Sequence, residues 1–450
     1  MGNSISNLKK SLESTFDTSQ KNVCTLFARG DNSYGNITNL NRSDLHIVKL
    51  WYSNFQCFAL DVNGNLMSWG LNDYYQIGNG TRIDYLFNKN EKQSLDSFSY
   101  LYYETNSYIP KMLSNSIPFP FSGLQVKKVE CGDGYSLFLL KTGELFSVGR
   151  NDKGQLGINL PFEKATIVSG KKCLSNVERV NIVDFNNNQV KIKNVITCSD
   201  FSFACDEYNN YYSWGNNDHF QLCRETINLS TPNPEKVEAF SSLSIISSMK
   251  LGWMHGCILT NDNKIYLWGN PYYDYNNDFQ DMKKPTEITE LPSNNITQID
   301  SGFHHIAFIS IKDRKYQLYT FGANDFGQLG YETREDYIES PRKVILSDNV
   351  EGSVVTEVIT GAFHTMCKMS SGNIWGFGQN DNGQVGDYVN EYITWPTLFN
   401  WHTDKDLILD QIICANASTV IIKKRDFGDI SHKANEDDEN EEVSLKINNI

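Results

Sequence analysis

Along the chain, short runs of β-branched and aromatic residues stop abruptly at clusters of Gly, Asn and Asp, and the same polar punctuation keeps returning. Residues 318–330, LYTFGANDFGQLG, give the clearest copy. Leu318, Tyr319, Thr320 and Phe321 form a β-prone run, and Gly322 opens a turn that Asn324, Asp325 and Gly327 can carry through positive φ. The phrase recurs as LMSWGLNDYYQIG from Leu66, LFSVGRNDKGQLG from Leu145, YYSWGNNDHFQLC from Tyr211 and IWGFGQNDNGQVG from Ile374. Weaker copies are LFARGDNSYGNIT from Leu26 and IYLWGNPYYDYNN from Ile265. Seven starts result, at 26, 66, 145, 211, 265, 318 and 374, separated by 40, 79, 66, 54, 53 and 56 residues.

Two further phrases precede this one. Immediately upstream are FALDVNG, FLLKTGE, ILTNDNK and CKMSSGN, in which Asn63-Gly64, Thr142-Gly143 and Ser371-Gly372 predict two-residue hairpins with both central residues left-handed. Further upstream lie VECGDGYSLFLL, MKLGWMHGCIL, IDSGFHHIAFI and VITGAFHTMCK. Each repeat is therefore a small antiparallel meander. A period of about 50 residues lets one β-propeller absorb all 450 residues where length alone suggests about three domains.

The two ends are out of phase in a complementary way. The first repeat begins with the phrase at Leu26, whereas LDQIICANASTVII, from Leu409 to Ile422, is an upstream phrase with nothing after it. This predicts that Ser418–Ile422 pairs with Thr25–Gly30, so that one blade is built from both ends and the ring closes without two exposed sheet edges.

Composition sharpens the picture at the edges. Hydrophobic residues make up 40% of the chain and aromatics 12%, enough for many short strands with a core. A net charge of −14 argues against a face tracking nucleic-acid phosphates. From Asp426 onward eight acids face only Lys433 and Lys446, so residues 426–450 read as a disordered acidic tail, either a solubilising end or an interaction segment. Residues 1–24 read as a leader and 25–425 as the propeller, interrupted at about 81–125 by an insertion rich in Tyr and Phe. An insertion of that length is expected to be a binding surface or a flap on a neighbouring blade.

A second excursion, with Lys164, Lys171 and Lys172, reads as a solvated loop, and the repeat from Ile265, which lost its GQLG, as the loosest. No CxxC pair occurs among the ten cysteines. Cys131, Cys198 and Cys414 share one repeat position and read as small buried hydrophobes in a reducing compartment. Neither a secretory h-region nor a long apolar span is found, which points to the cytoplasm. The leader begins MGNSIS, and Gly2 with Ser6 fits the N-myristoylation pattern, the alternative being an ordinary polar leader. A single acyl chain, at about 10⁴ M⁻¹, would make any membrane association reversible.

No nucleophile–base pair, HExxH motif or phosphate-cradling loop appears, so covalent catalysis, a cofactor and a metal are not expected. His255, His305 and His364 occupy one repeat position, where Tyr135, Ser202 and Ser418 are read as filling the same slot, and so read as structural hydrogen-bonding groups. Trp69, Trp214, Trp268 and Trp375 read as packing between blades. Asp133, Asp200 and His304 stand at variable positions of the upstream phrase, where a propeller exposes loops, and are the candidates for partner recognition, against ordinary turn-stabilising roles.

Taken together, FGANDFGQLG, GAFHT and their copies over residues 25–422 resemble the regulator of chromosome condensation family. The resemblance implies an all-β, seven-bladed β-propeller of four-stranded antiparallel blades with a terminal strand closing the ring. It also implies a protein-binding surface, and for the family's founding member nucleotide exchange on a Ran-class small GTPase. Asp133, Asp200 and His304 match the loop positions that carry Asp and His on the family's exchange face. The founder's basic chromatin-binding tail and wedge hairpin have no recognisable counterpart here. A monomeric adaptor that docks a protein partner on one rim is therefore the first expectation, and an exchange factor for a small Ras-like GTPase the second.

Overall fold

In a computed structural model the chain is all-β. The residues described are 24–30, 47–53, 55–61, 64–78, 107–112, 120, 121, 123–224, 229–271, 281–292, 295–332, 335–347, 350–386, 390–399, 407–415 and 418–425. Gly2, the acidic tail and most of the insertion lie outside them.

Among the described residues seven antiparallel sheets follow the repeats. Sheet I holds Ile47–Tyr52, Gln56–Asp61, Leu66–Gly70 and Ser107–Met112. In sheet II, Val126–Gly132, Tyr135–Leu140, Leu145–Arg150 and Lys171–Val180 are joined by an extra edge strand, Thr166–Val168. Sheet III has Ile192–Cys198, Phe201–Asp206, Tyr211–Asn216 and Ser230–Lys236; sheet IV has Ile246–Leu251, His255–Thr260, Ile265–Gly269 and Met282–Glu287. Sheet V comprises Ile296–Ser301, His305–Lys312, Lys315–Ala323 and Tyr337–Lys343, and sheet VI Val355–Thr360, His364–Met369, Ile374–Gln379 and Tyr392–Leu398. Sheet VII is made of Leu407–Ala415, Ser418–Arg425 and Cys24–Gly30.

Four strands per blade is thus met in sheets I and III to VI; sheet II has five and sheet VII three among the described residues. The first strands of sheets I to VII touch in sequence order. Cys24–Gly30 pairs antiparallel with the strand from Ser418, with Leu26 opposite Ile422 and Gly30 opposite Ser418, the register the phase of the repeats predicts. Sheet VII meets sheet I where Val420 packs among Cys57, Ala59, Met67 and Trp69, and where Tyr52 Oη lies 2.7 Å from Ser418 Oγ.

The hairpins differ from expectation. Leu140 N–H donates to Glu144 O and Met369 N–H to Asn373 O, so three residues lie in each loop and only the glycine, Gly143 or Gly372, is left-handed. One positive φ suffices because a type I turn followed by a single left-handed residue already matches the strand twist. The sheet V hairpin, where Asp313 and Arg314 both have positive φ, has the two-residue form. Lys171 and Lys172 begin the fourth strand of sheet II, where a loop was expected, because that segment pairs with both Leu145–Arg150 and Thr166–Val168.

The NDxGQLG phrase closes on itself. Asn324 Oδ1 accepts from Leu329 N–H at 3.1 Å and Gln328 Oε1 from Phe326 N–H at 2.9 Å, and Asn151 with Gln155, and Asn380 with Gln384, repeat the pattern. Both amides are buried, so each bond removes a donor that would otherwise cost about 1–3 kcal/mol to bury unpaired. Leu329, Leu156 and Val385, the residue after each glutamine, enter the core. Trp69, Trp214 and Trp268 are fully buried between sheets, and the indoles of Trp214 and Trp268 donate to Gln155 O and Gln221 O of the preceding sheets at 2.9 Å. Trp375 is only half-buried, since it lies two residues before the equivalent position, held by Phe377.

Candidate partner-binding rim

In sheets II to VI the turn between first and second strands lies beside the start of the loop that follows the third strand. Arg150, Asn216, Asn270, Ala323 and Gln379 each donate their N–H to the turn carbonyl of their own sheet, at Gly134, Asp200, Met254, His304 and Phe363. Successive turns are then stitched sideways: Asp133 N–H donates to Ser199 O, Trp253 N–H to Phe303 O and Phe303 N–H to Ala362 O, at 2.7, 3.1 and 3.0 Å. The rim is rigid because its backbone is tied both within and between sheets.

Below the turns sits the repeated histidine slot. His255, His305 and His364 are fully buried, and their Nε2 atoms lie 2.9, 3.0 and 3.0 Å from Ser301 Oγ, Thr365 Oγ1 and Thr419 Oγ1 of the next sheet. The slot residue faces the positive-φ glycine of its third strand: His305 faces Gly322 and Tyr135 faces Gly149. By that register the slot in sheet III is Phe201, opposite Gly215, and Ser202 falls one residue later. The turn 199–200 is reached after Cys198, which stands opposite Phe201, so counting forward from the cysteine overshoots by one. Ser202 instead receives the neighbouring slot: its Oγ is 2.9 Å from Tyr135 Oη. Ser418, opposite Gly30, does occupy the slot.

Burial holds the three imidazoles neutral. His305 and His364 are pushed down to about 3, and His255 well below its usual value, first by desolvation. Gly302 precedes His305 because a Cβ there would overlap the imidazole Cε1. Cys131, Cys198 and Cys414 sit nearby as free thiols; burial pushes Cys198 up to about 12 and the other two higher still, which suits inert packing groups.

Two of the three recognition candidates converge, on a residue the repeat pattern did not single out. Arg150 Nη1 is 2.8 Å from Asp133 Oδ2, its Nε 2.8 Å from Asp152 Oδ1, and its Nη2 3.4 Å from Asp200 Oδ2 on sheet III. The guanidinium is 7% exposed, Asp200 14% and Asp133 48%. Burial works against the Arg150 charge, yet the three carboxylates outweigh it and raise its pKa. Burial raises the Asp200 carboxyl, with Arg150 opposing. Alongside, Lys153 Nζ pairs with Asp218 at 2.8 Å and His219 Nδ1 lies 3.4 Å from Asp281 Oδ1.

His304 is not an exposed loop residue. It is 4% exposed, its ring tilted against Trp253 at 5.5 Å and against His255 at 6.4 Å, and burial lowers it to about 4. On sheets IV to VI the rim turns aromatic. Trp253 stacks on Phe303 at 5.4 Å, Phe303 meets Phe363 edge-on at 5.4 Å, and Phe326 lies 4.8 Å from Phe363 and 5.5 Å from Tyr392. Trp253 is 36% and Tyr392 48% exposed. The sequence signal was available: Trp253, Phe303 and Phe363 all stand inside GWMH, GFHH and GAFH, between glycine and slot histidine.

Among the described residues no cluster of His, Cys, Asp and Glu is arranged to hold a metal, and no helix is long and apolar enough to cross a membrane.

The Regulator of chromosome condensation (RCC1) repeat matches residues 63–139 and 317–367, and a second description of the same repeat matches 126–155 and 355–384. The Ultraviolet-B receptor UVR8 of Arabidopsis thaliana is 26% identical over 308 residues, covering 67% of this chain and 64% of that protein. The probable E3 ubiquitin-protein ligase HERC3 of Homo sapiens is 27% identical over 309 residues, covering 59% of this chain and 28% of that one. The chain thus spans less than two thirds of the length of these relatives. The fold superposes on Prp20p from Saccharomyces cerevisiae, a structure described with its binding properties to Gsp1p and histones, with a TM-score of 0.66 and 19% identity over 90% of this chain and 92% of that one.

Proposed function

We propose that this chain, a β-propeller that belongs to the regulator of chromosome condensation repeat family, is a seven-bladed ring closed by its own termini and works as a protein-binding adaptor through the turn rim. The observation that carries the reading is the make-up of that rim: an aromatic arc, Trp253–Phe303–Phe363–Phe326–Tyr392, beside a charged sector built on Arg150. Exposed Trp and Tyr on a rigid backbone supply large contact area at low entropic cost, and acidic neighbours set register and on-rate. Ring closure is supported by the pairing of Cys24–Gly30 with the strand from Ser418 and by first strands touching in sequence from sheet I to sheet VII.

Affinity capture from cell extract with immobilised protein tests the reading. The double variant Trp253→Ala, Tyr392→Ser should lose the proteins that the wild type retains, while Lys236→Ala on an outer strand should retain them. Identical retention by all three would remove the rim from the function.

The second reading is guanine nucleotide exchange on a small Ras-like GTPase, with Asp133 and Asp200 as contact residues and His304, 4% exposed, beneath the contact surface. It is supported by the convergence of Asp133 and Asp200 on Arg150 and by the likeness of the fold to Prp20p. Exchange stabilises the nucleotide-free partner and needs no covalent chemistry. Accelerated release of fluorescent nucleotide from a GTPase, lost in Asp200→Ala, would favour it over the adaptor.

The same proposal takes residues 1–24 as a leader acylated at Gly2, 426–450 as an acidic tail, and the protein as a cytoplasmic monomer with reversible membrane association and no direct contact with nucleic acid. Intact mass after co-expression with an N-myristoyltransferase should rise by one acyl chain and fail to rise in Gly2→Ala.

A further inference from the structure

At several interfaces between sheets, a polar side chain on one first strand reaches across to the next. Lys128 Nζ on sheet II donates to Val195 O and Asn194 Oδ1 of sheet III at 2.8 and 3.1 Å, and Gln298 Nε2 on sheet V donates to Val358 O of sheet VI at 2.9 Å. Lys250 of sheet IV pairs with Asp300 of sheet V at 2.7 Å, and Asp300 accepts from Thr360 N–H of sheet VI at 2.8 Å. Between sheets III and IV the corresponding residues are Asn194, too short to span, and Ile196, which is apolar; the slot residue above them is Phe201. The two sheets meet there through an apolar cluster that includes Phe201, Phe203, Phe240, Leu251 and Trp268.

The consequence is a cavity of about 380 Å³ between these sheets. Its lining runs along the first strands, from Lys193 to Ile196 on sheet III and from Ile246 to Lys250 on sheet IV, short of the turns that carry Asp200 and Trp253. That volume falls in the range of small-molecule sites. Ile196, Phe203, Tyr211 and Met249 line the apolar part, and Asn194, Ser247, Ser248, Lys128, Lys193 and Lys250 the polar part. Lys128 has Glu130 at 2.7 Å and Lys250 has Asp300, but Lys193 is exposed and among the described residues its ammonium bonds the neutral amide of Asn209. Lys127, whose Nζ donates to Lys193 O at 2.7 Å, adds a further charge at the mouth. Four ammonium groups against two carboxylates leave a local excess of positive charge on a chain whose net charge is −14.

We propose that this cavity binds a small amphipathic acid: a hydrophobic chain or ring seated against Ile196, Phe203 and Met249, with a single carboxylate or phosphate held at the Lys193 mouth. The two parts are complementary to the two halves of the lining. A charge-assisted hydrogen bond from a lysine on the mouth contributes about tenfold in affinity or more. The site shares no lining residue with the rim turns and would operate whether the rim serves an adaptor or an exchange factor.

Isothermal titration calorimetry on the full chain tests this with four probes: octanoate, octyl phosphate, octanol and inorganic phosphate. Octanoate, octyl phosphate or both should bind saturably at one site, at least about tenfold more tightly than octanol or inorganic phosphate. Which of the two acids binds more tightly tells carboxylate from phosphate as the preferred head. Lys193→Gln, an exposed change, should weaken the acid about tenfold with the urea midpoint unchanged, and Ser248→Phe should abolish binding by filling the cavity. Equal binding of octanol would reduce the site to an apolar gap. Inorganic phosphate binding as tightly as the acids would reduce it to surface lysines, and no saturation by either acid up to about 10 mM would refute it.

Discussion

Arg150 donates to Asp200 of the neighbouring sheet at 3.4 Å while its other nitrogens hold Asp133 and Asp152 at 2.8 Å. A single guanidinium therefore joins sheets II and III at the rim. Its five donors in a rigid fork can serve three carboxylates at once, which a lysine could not do. Arg150→Met should leave Asp200 buried without its cation. We expect a loss of about 3 kcal/mol in stability, read as a lower urea midpoint at unchanged slope. Asp133→Asn, at a half-exposed position, should cost about 1 kcal/mol or less. Equal effects of the two would show that the bridge to Asp200 contributes little.

The slot histidines predict a pH dependence with a definite sign. His305 and His364 are held neutral in the folded chain, at about 3, against an ordinary value near 6.5. Below about pH 6.5 the unfolded chain binds protons that the folded chain refuses, so stability is full above that pH and falls as the pH drops toward 3. Each histidine adds a slope of about 1.4 kcal/mol per pH unit in that window. Urea unfolding between pH 7 and 4.5 should show it, and His305→Gln should make the slope shallower. A slope unaffected by that change would exclude the histidine as its source.

Removing the cross-sheet bond itself has a separate cost. His364→Ala empties a fully buried site and leaves the Thr419 hydroxyl without its 3.0 Å partner across the joint between sheets VI and VII. A loss of about 2–4 kcal/mol is expected from cavity and hydrogen bond together. Hydrogen exchange should rise first along Ser418–Arg425 if that joint opens before the other sheets.

Gly302→Ala tests why a glycine opens the GFHH phrase. The added Cβ would overlap the His305 ring, forcing the ring away from Thr365. We expect a loss of about 1–3 kcal/mol. Gly352→Ala provides the contrast: no atom lies near its Cβ, and its cost comes from the positive φ alone, about 1 kcal/mol. Equal midpoints for the two variants would mean that the ring simply moves aside.

The repeat itself was legible because it is local chemistry. Asn324 and Gln328 bond backbone donors within their own loop, and glycines at the third-strand ends take positive φ, so any chain segment carrying these residues makes the same turn wherever it stands. The strand register at the termini followed from phase for the same reason: a meander missing one phrase can be completed only by a segment that supplies it. The hairpin loops were misjudged in length, since an Xaa-Gly pair serves a two-residue and a three-residue loop equally well.

What only the tertiary structure decided concerns residues whose meaning lies in the next sheet. Arg150 stands where other repeats have Asp, Leu, Asn, Ala or Gln, and nothing near it in the sequence reveals that Asp200 faces it. His304 shares its turn with the half-buried Phe303, yet is itself buried, beside the Trp253 ring of sheet IV. The cavity between sheets III and IV exists because Asn194 and Ile196 fail to span a gap that Lys128 and Gln298 span elsewhere. Periodic hydrogen bonds are written into each repeat; contacts between repeats depend on pairs of positions many residues apart, and such pairs become neighbours only once the sheets are packed side by side.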